Sequence, residues 1–294
     1  MESVSARSKV ASWVEAMRLR TLPVSVAGVL AGTGCAVAVR SPRWGAAALC
    51  LVFAILAQIA SNFANEYFDY KDGLDRPGRV GPRRGVTEGD ITPQAMKLAV
   101  GLTLGLACCV GLGLVVYGGW WLIGAGAVIA FGALAYSAGP YPLSRHALGE
   151  VAVILFFGVI PVSLTYYVQT DHFSADAWLT GVAIGLMGAN ILIVNNYRDV
   201  DDDAAVGKTT LAVRLGRRPT AALYLANGIV ALALMWEQWA RLPHAAMTVP
   251  GAYLALHLFL WSRLMRRQGR SLNPLLGMTA MLMAAYALGF LLFA

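Results

Sequence analysis

Side chains that bear oxygen are concentrated in the stretch SNFANEYFDYKDGLD at residues 61–75. Four of them follow the spacing i, i+3, i+4 and i+7, which places their side chains on one face of a helix. These four are Asn62, Asn65, Glu66 and Asp69. Gly73 is expected to end the helix, so that Asp75 can fold back toward the same face, and Asp72 could also reach it. The stretch predicts a polar site at a helix end.

A second stretch, NNYRDVDDDAAVGKTT, begins at Asn195 and repeats this arrangement. Asn195, Asp199 and Asp203 are spaced by four residues and form one stripe at the end of a helix. Asp201 is expected to point to the opposite side, and Asp202 partly away. The two stretches therefore predict two similar half-sites.

Such crowding of acids requires cations, because segments 66–90 and 199–203 contain 10 of the 16 acidic residues. At about 4 Å and an effective dielectric of about 20, one pair of carboxylates costs about 4 kcal/mol. Asp, Glu and Asn oxygens suit Mg²⁺, which takes one or two carboxylates and completes its shell with substrate phosphates and water. Two half-sites bridged by a diphosphate fit that preference, with the metal stabilising the leaving group. Solvated acids in ordinary loops are the alternative.

Basic residues share these loops, and the excess of Lys and Arg on cytoplasmic loops of membrane proteins explains most of them. Lys71, Arg198 and Lys208 lie within the acidic motifs, so a contact with diphosphate is more plausible for these three. For Arg18, at the mouth of the first span, a membrane anchor and a phosphate ligand fit equally well. The candidates for binding the substrate's charge are Arg18, Lys71, Arg83, Arg84, Arg198 and Lys208.

The elements that must position these residues are apolar. The chain is 58% hydrophobic and 13% charged, whereas a soluble domain carries about 25% charged residues. Repeated apolar runs of about 20 residues, the length that spans a bilayer, predict a single all-α, polytopic membrane domain over residues 1–294. The predicted helices are 22–40, 45–68, 95–117, 119–137, 148–168, 178–198, 219–236, 246–263 and 273–293.

The basic residues predict the orientation of these nine spans. With residues 1–21 as a cytoplasmic lead-in, 20 of the 23 Lys and Arg residues fall on the cytoplasmic side, and the C-terminus lies outside. Both acidic motifs then lie on the cytoplasmic face, in loops near 69–94 and 199–217. This bias also accounts for the net charge of +7, so no nucleic-acid partner is expected, and nothing in the sequence implies a protein partner.

The two Asn/Asp motifs, which follow the second and sixth predicted spans, resemble the signature of the UbiA-type intramembrane aromatic prenyltransferases over nearly the whole chain. The resemblance implies nine helices around a central chamber with a cytoplasmic polar cap. Within the family, four stretches most resemble the branch that acts on 1,4-dihydroxy-2-naphthoate in menaquinone synthesis. These are RLRTLP at 18–23, NEYFDYKDGLD at 65–75, GPRRGVTEGDIT at 81–92 and NNYRDVDDDAAVGKTTLAVRLG at 195–216.

The resemblance implies a metal site of two Mg²⁺ ions that bridge a prenyl diphosphate. It assigns Asn65, Asp69 and Asp75 to one ion, and Asp199 and Asp203, with Asn195, to the other. Asp69, Asp199 and Lys71 would be the catalytic residues. The family usually has Asp where this chain has Glu66, a longer oxygen ligand that can still serve a metal.

The same resemblance implies that a polyprenyl chain is transferred to the aromatic ring with loss of CO₂ and diphosphate, at a bacterial-type inner membrane. Water must be excluded, because it would hydrolyse a carbocation. Tyr136 would shield that cation by a cation–π contact, or anchor the protein at the membrane interface, and Asn62 would contact the substrate.

Two other functions remain open from the sequence. A member of the same family could act on 4-hydroxybenzoate, homogentisate or a porphyrin, since pocket shape sets the choice of acceptor. A secondary transporter is the alternative of another class, but transporters place ionisable residues near the middle of the bilayer, and no acid lies near the middle of a predicted span.

Overall fold

The computed structural model describes residues 9–76 and 80–294 of the chain. Arg7 and Arg79 lie outside the described residues, so the predicted lead-in 1–21 is seen only from Lys9, and the loop 69–94 without 77–79. The described part of the chain is helical and contains no strand, with one isolated β-bridge between His146 and Thr209. The all-α prediction is confirmed.

The helices are numbered here in chain order, and α6 contains a π-helical segment at Ile154–Val159. They are α1 Lys9–Ala16, α2 Pro23–Ala38, α3 Trp44–Lys71, α4 Pro93–Gly118, α5 Trp121–Ala135, α6 Gly149–Thr170, α7 Ala175–Arg198, α8 Val200–Ala205, α9 Leu211–Leu215, α10 Arg217–Leu234, α11 Trp236–Ala240, α12 Thr248–Arg266 and α13 Asn273–Phe293.

Six of the described helices are long and apolar enough to cross a membrane, namely α3, α4, α6, α7, α12 and α13. A seventh span results if the segments Lys9–Thr21 and Pro23–Ala38, which meet at a bend of 44°, are counted together. Helix α5 is apolar but shorter. Every predicted range overlaps a helix, but length and composition identify only six or seven spans.

The ends of α3 and α4 differ from their predicted positions for local reasons. Helix α3 continues to Lys71, so the whole first motif up to Asp69 is helical. Helix α4 begins at Pro93 because the Thr92 side chain accepts a hydrogen bond from the backbone N–H of Ala95, a typical N-cap.

The main core lies among α2, α6, α7, α10, α12 and α13. Helices α6 and α7 pack against each other through glycines, so that their backbones are in direct contact. A Cβ on Gly158 would lie 2.3 Å from the carbonyl oxygen of Gly181 and 2.5 Å from the nitrogen of Gly185. Small residues at such crossings let helices pack in lipid, where no hydrophobic effect drives them together. In contrast, α4 is only 17% buried over its apolar window and lies at the edge of the bundle.

Candidate active site

The end of α3 and the turn after it form the first half of the site. Asn65 donates from Nδ2 to Oδ2 of Asp69 (3.0 Å) and to Oγ of Ser137 (2.9 Å). Gly73 has φ +70°, in the left-handed region that favours glycine. The N–H of Leu74 donates to the carbonyl of Asp69 (2.9 Å), which turns the chain back. Asn65, Asp69 and Asp75 are therefore buried together, as predicted.

Arg84 occupies the centre of this half-site and is 9% exposed. Its Nη2 donates to Oδ1 of Asn65 (3.2 Å), and its Nε lies 3.2 Å from Oδ2 of Asp75. Its Nη1 lies 3.9 Å from Oε2 of Glu66. A guanidinium among these oxygens offsets the cost of burying carboxylates, so the predicted role of Arg84 at the site has a structural basis.

Arg145 is a residue of the site that the sequence did not single out. Its Nη1 lies 2.7 Å from Oδ2 of Asp72, and its Nη2 lies 3.6 Å from Oδ1 of Asp69. Nη2 also donates to the carbonyl of Ser137 (3.1 Å). Arg145 is far from both motifs in sequence, in a loop where a basic residue is expected anyway, so no pattern in the sequence distinguished it.

Arg18 and Asn62 connect the N-terminal segment to α3. Arg18 has φ +53°, and its guanidinium donates to Oδ1 of Asn65, so it lies at the first half of the site. Asn62 donates to the carbonyl of Met17 (3.0 Å). Its amide therefore holds the segment that carries Arg18, rather than pointing with the acidic side chains.

Glu66 is 1% exposed and is directed at the loop before α4. Its Oε1 accepts a hydrogen bond from the backbone N–H of Val86 (3.1 Å). A Cβ on Gly85 would lie 3.5 Å from the same oxygen. The Glu66 side chain is long enough for its carboxylate to reach the backbone of this loop.

The second half of the site lies at the end of α7. Arg198 donates two hydrogen bonds to Asp199, from Nε to Oδ1 (2.6 Å) and from Nη2 to Oδ2 (2.7 Å). Its Nη2 also donates to Oδ1 of Asn195 (2.8 Å), and its Nη1 to Oδ1 of Asn273 on α13 (3.0 Å). Parallel bonds of this kind fix geometry as well as charge.

The remaining acids of the second motif divide as the spacing predicted. Asp203 is 6% exposed and lies 3.6 Å from Nζ of Lys208. Asp201 points away and pairs with Arg217 at 2.9 Å. Asp202 accepts from the backbone N–H of Val80 (3.0 Å), which joins this motif to the loop after α3.

The two halves meet around the loop that follows α5. The N–H of Thr209 donates to the carbonyl of Arg145 (3.2 Å), the residue whose side chain holds the first half. Tyr136 begins this loop, and the next residue, Ser137, accepts a hydrogen bond from Nδ2 of Asn65 in the first half.

Two predicted residues do not join the acids. Lys71 is exposed, and the described residues give its ammonium no partner. Arg83 lies 2.7 Å from Oδ2 of Asp90, and Asp90 also accepts from Oγ of Ser12 on α1. Asp90 thus joins α1 to the loop before α4, and Arg83 pairs with Asp90 within that loop.

The donor set fits Mg²⁺ without forming a closed cage. Within residues 9–76 and 80–294, no three His, Cys, Asp or Glu side chains converge as a metal cluster. Oδ1 of Asp69 is buried and accepts no hydrogen bond, and its ion-pair partner Arg145 lies 3.6 Å away. Open carboxylate sites of this kind suit Mg²⁺, which keeps waters and substrate phosphates in its shell.

An apolar cavity of about 350 Å³ is lined by the five helices α2, α3, α4, α5 and α6. Tyr136 and Ser61 line its polar end, and Leu122 and Val168 line its far end. Along α5 alone the cavity covers residues 122 to 136, about 21 Å at 1.5 Å per residue. An apolar lining of this kind suits a hydrocarbon chain rather than a charged group.

Comparison with known proteins agrees with this geometry. Residues 25–284 match the model of the UbiA prenyltransferase family. The chain is 37% identical over 278 residues to the 1,4-dihydroxy-2-naphthoate octaprenyltransferase of Mycobacterium tuberculosis, covering 95% of this chain and 94% of that protein. It is also 37% identical over 244 residues to the enzyme of the same name from Escherichia coli, covering 77% of each.

Solved structures share the fold at low sequence identity. A UbiA homolog from Archaeoglobus fulgidus bound to DMAPP and Mg²⁺ superposes with a TM-score of 0.69 at 15% identity, covering 95% of this chain and 99% of that one. The apo UbiA homolog from Aeropyrum pernix K1 gives a TM-score of 0.71 at 16% identity, covering 97% and 98%.

Proposed function

Because this chain belongs to the UbiA prenyltransferase family, an integral membrane family, we propose that it transfers a polyprenyl chain from prenyl diphosphate to 1,4-dihydroxy-2-naphthoate. The names of relatives at 34–37% identity support this acceptor. The product is demethylmenaquinol, which places the protein in menaquinone biosynthesis.

Two bonds of the substrates break in this reaction, and one new carbon–carbon bond forms. The allylic carbon–oxygen bond of the donor breaks, and diphosphate leaves with the electron pair. A new carbon–carbon bond forms at the ring carbon that carries the carboxylate, and that carboxylate leaves as CO₂. The electrons of the broken carboxylate bond restore the aromatic ring, so no oxidant or reductant is required.

One observation carries the proposal: Tyr136 lines the polar end of the apolar cavity, and its chain neighbour Ser137 accepts a hydrogen bond from Asn65 of the first motif. A molecule with a long apolar tail and a doubly charged head would place its tail in the cavity and its head between the half-sites. Prenyl diphosphate has this shape, and its allylic carbon would lie at the Tyr136 ring. The phenol face can stabilise positive charge there.

We further propose that Asn65, Asp69 and Asp75 hold one Mg²⁺ and that Asp199 and Asp203, with Asn195, hold a second. Bound there, Mg²⁺ would neutralise the departing diphosphate. Four cationic side chains would then donate hydrogen bonds to phosphate oxygens. They are Arg18 and Arg84 in the first half, and Arg198 and Lys208 in the second. The buried Oδ1 of Asp69, which accepts no hydrogen bond, supports its place as a ligand.

In the membrane, the proposal keeps nine spans with the N-terminus cytoplasmic and the C-terminus outside, in a bacterial inner membrane. Helices α5 and α10 are short or polar for isolated spans, but each packs against longer neighbours. Tilt and packing allow shorter helices to span. The acidic motifs then face the cytoplasm, where diphosphate substrates are available.

The test is a transfer assay in membranes containing the full chain, with a labelled prenyl diphosphate and either 1,4-dihydroxy-2-naphthoate or 4-hydroxybenzoate. We expect a decarboxylated naphthoquinol product with Mg²⁺ and none with EDTA. Asp69→Asn and Asp199→Asn should each lower turnover by about 100-fold or more. Asp201→Asn is the matched control, since Asp201 is 83% exposed by side chain and pairs with Arg217 outside the site.

Each other result has a defined meaning. Product from 4-hydroxybenzoate alone would agree with the proposed metal site but would contradict the proposed acceptor. Wild-type turnover in folded Asp69→Asn and Asp199→Asn variants would overturn the proposed enzyme site. No transfer to either acceptor by folded protein would favour another aromatic acceptor first, and a transporter second.

A further inference from the structure

The end of α12 carries arginines that the site above does not use. Arg263 and Arg266 follow Phe259 at i+4 and i+7, so their side chains lie on the same side of the helix, and Arg267 follows directly after the helix end. Leu256 precedes Phe259 by three residues on that side. Leu256 is 50% exposed and Phe259 is 43% exposed, so this side of α12 faces the lipid rather than the core.

The arginines lie on the same side of the molecule as the acidic motifs. Nε1 of Trp261 on α12 donates to the carbonyl of Ala221 on α10 (3.0 Å). Ala221 is about one turn from Arg217, which pairs with Asp201 of the second motif. The arginine face is therefore at the depth of the headgroups in the leaflet that the acidic motifs adjoin.

Arg263 is held against the lipid-facing surface. Its guanidinium carbon lies 4.9 Å from the centroid of the Phe259 ring, a distance at which a cation is attracted to the face of an aromatic ring. Arg267 donates to the carbonyl of Ser271 (3.4 Å), beyond the helix end. The stripe thus changes from exposed apolar side chains to guanidinium groups within two turns.

The charge of this face is not balanced by nearby carboxylates. The sequence contains no Asp or Glu after Glu237. Among the described residues, no carboxylate pairs with Arg263 or Arg266. In contrast, two other surface arginines in the C-terminal half of the sequence, Arg217 and Arg241, each pair with an acid.

We propose that this face, Arg263, Arg266 and Arg267, binds the phosphate group of an anionic phospholipid whose acyl chains lie against Phe259 and Leu256. Arginine recognises phosphate oxygens with paired donors, and the cytoplasmic leaflet is rich in anionic lipid. The preference for basic residues on cytoplasmic loops explains why arginine is present there. The exposed apolar stripe directly below favours a lipid over free phosphate, which has no chains to cover it.

The test uses full-length protein in detergent, titrated with phosphatidylglycerol or phosphatidylcholine, with bound lipids counted by native mass spectrometry. Wild-type protein should bind phosphatidylglycerol in preference to phosphatidylcholine. The double variant Arg263→Gln/Arg266→Gln should bind phosphatidylglycerol about five-fold more weakly for each arginine removed. The matched control is Lys9→Gln/Lys97→Gln, which removes the same charge from exposed positions on α1 and α4.

Four results would overturn the proposal. They are equal binding of the two lipids by wild-type protein, wild-type affinity in the arginine variant, an equal loss in the lysine control, and full displacement of phosphatidylglycerol by millimolar inorganic phosphate. If the arginine variant combines wild-type lipid affinity with a raised KM for prenyl diphosphate, the arginines act on the donor instead. All variants alter exposed side chains, and helical circular dichroism verifies folding.

Discussion

At the scale of single residues, each carboxylate of the site is matched with a nearby cation. Arg84 donates a hydrogen bond to Asn65 in the first half of the site. Arg145 forms an ion pair with Asp69, and Arg198 forms one with Asp199. Removing one partner of a buried ion pair costs about 3–5 kcal/mol, because the other charge is left uncompensated. The arginines therefore stabilise an acid-rich surface in addition to any contact with substrate.

Glu66 offers a test that separates a loop anchor from a metal ligand. Its carboxylate accepts from the N–H of Val86, and a glutamine at this position keeps an oxygen acceptor without the charge. We expect Glu66→Gln to retain turnover within about 3-fold and an unchanged Mg²⁺ requirement. Glu66→Ala should lose the hydrogen bond, worth about 1.5–3 kcal/mol for a charged acceptor, and expose the segment 80–91 to limited proteolysis.

Glu88→Ala is the control for this comparison, because Glu88 is exposed in the same loop. It should leave both proteolysis and turnover unchanged. A several-fold higher Mg²⁺ requirement in Glu66→Gln would show instead that the carboxylate binds the metal.

At the scale of elements, helix spacing predicted which side chains share a face, and loop contacts were beyond its reach. Spacing at 3.6 residues per turn placed Asp203 and Asp201 on opposite sides, and they do diverge, although α7 ends at Arg198 and both belong to the short helix α8. The part played by Arg145 depends on a turn that brings residues distant in sequence together, which no local periodicity encodes. The direction of the Glu66 side chain likewise depends on the path of the loop at Val86.

The crossing of α6 and α7 makes a prediction about packing. A Cβ on Gly158 would lie within 2.5 Å of backbone atoms of Gly181 and Gly185, and a backbone cannot move aside as a flexible side chain can. Overpacking of this kind typically costs about 1–3 kcal/mol. Gly158→Ala should lower the midpoint of thermal unfolding in detergent by several degrees. Turnover should also fall, because α7 carries the second motif.

The matched variant is Gly277→Ala on α13, where a Cβ has no neighbour within 4 Å. Alanine in a helix interior is favoured over glycine by about 0.5–1 kcal/mol, so this variant should unfold at the same or a higher temperature. Equal midpoints for the two variants would contradict the close crossing.

At the scale of the whole molecule, charge is distributed asymmetrically. The sequence placed Arg40, Arg43 and Arg241 outside, against the general bias. In the structure Arg43 pairs with Asp171, whose pKa is lowered by this hydrogen bond, and Arg241 pairs with Asp176. Two of the three exceptions thus pair with a carboxylate.

The cavity also relates the whole molecule to the length of its donor. Some residues that line it are exposed on the outer surface, including Cys108 and Leu112 on α4 and Ile123 on α5. The cavity thus reaches the lipid-facing surface between α4 and α5, two helices with little burial. A short prenyl chain fits inside, while a long one must pass through this gap into the bilayer.

Closing the gap should therefore discriminate between donors by length. Gly126 on α5 lines the cavity, and a Cβ there has no neighbour within 4 Å, so tryptophan can enter without a backbone clash. Gly126→Trp should lower turnover with a long polyprenyl diphosphate by about 10-fold, roughly 1.4 kcal/mol, and leave turnover with geranyl diphosphate within about 3-fold. Gly277→Trp, at an equally open position away from the cavity, should leave the ratio of the two rates unchanged. Equal loss with both donors would show that the tail leaves by another route, because an obstacle outside its path cannot distinguish a long chain from a short one.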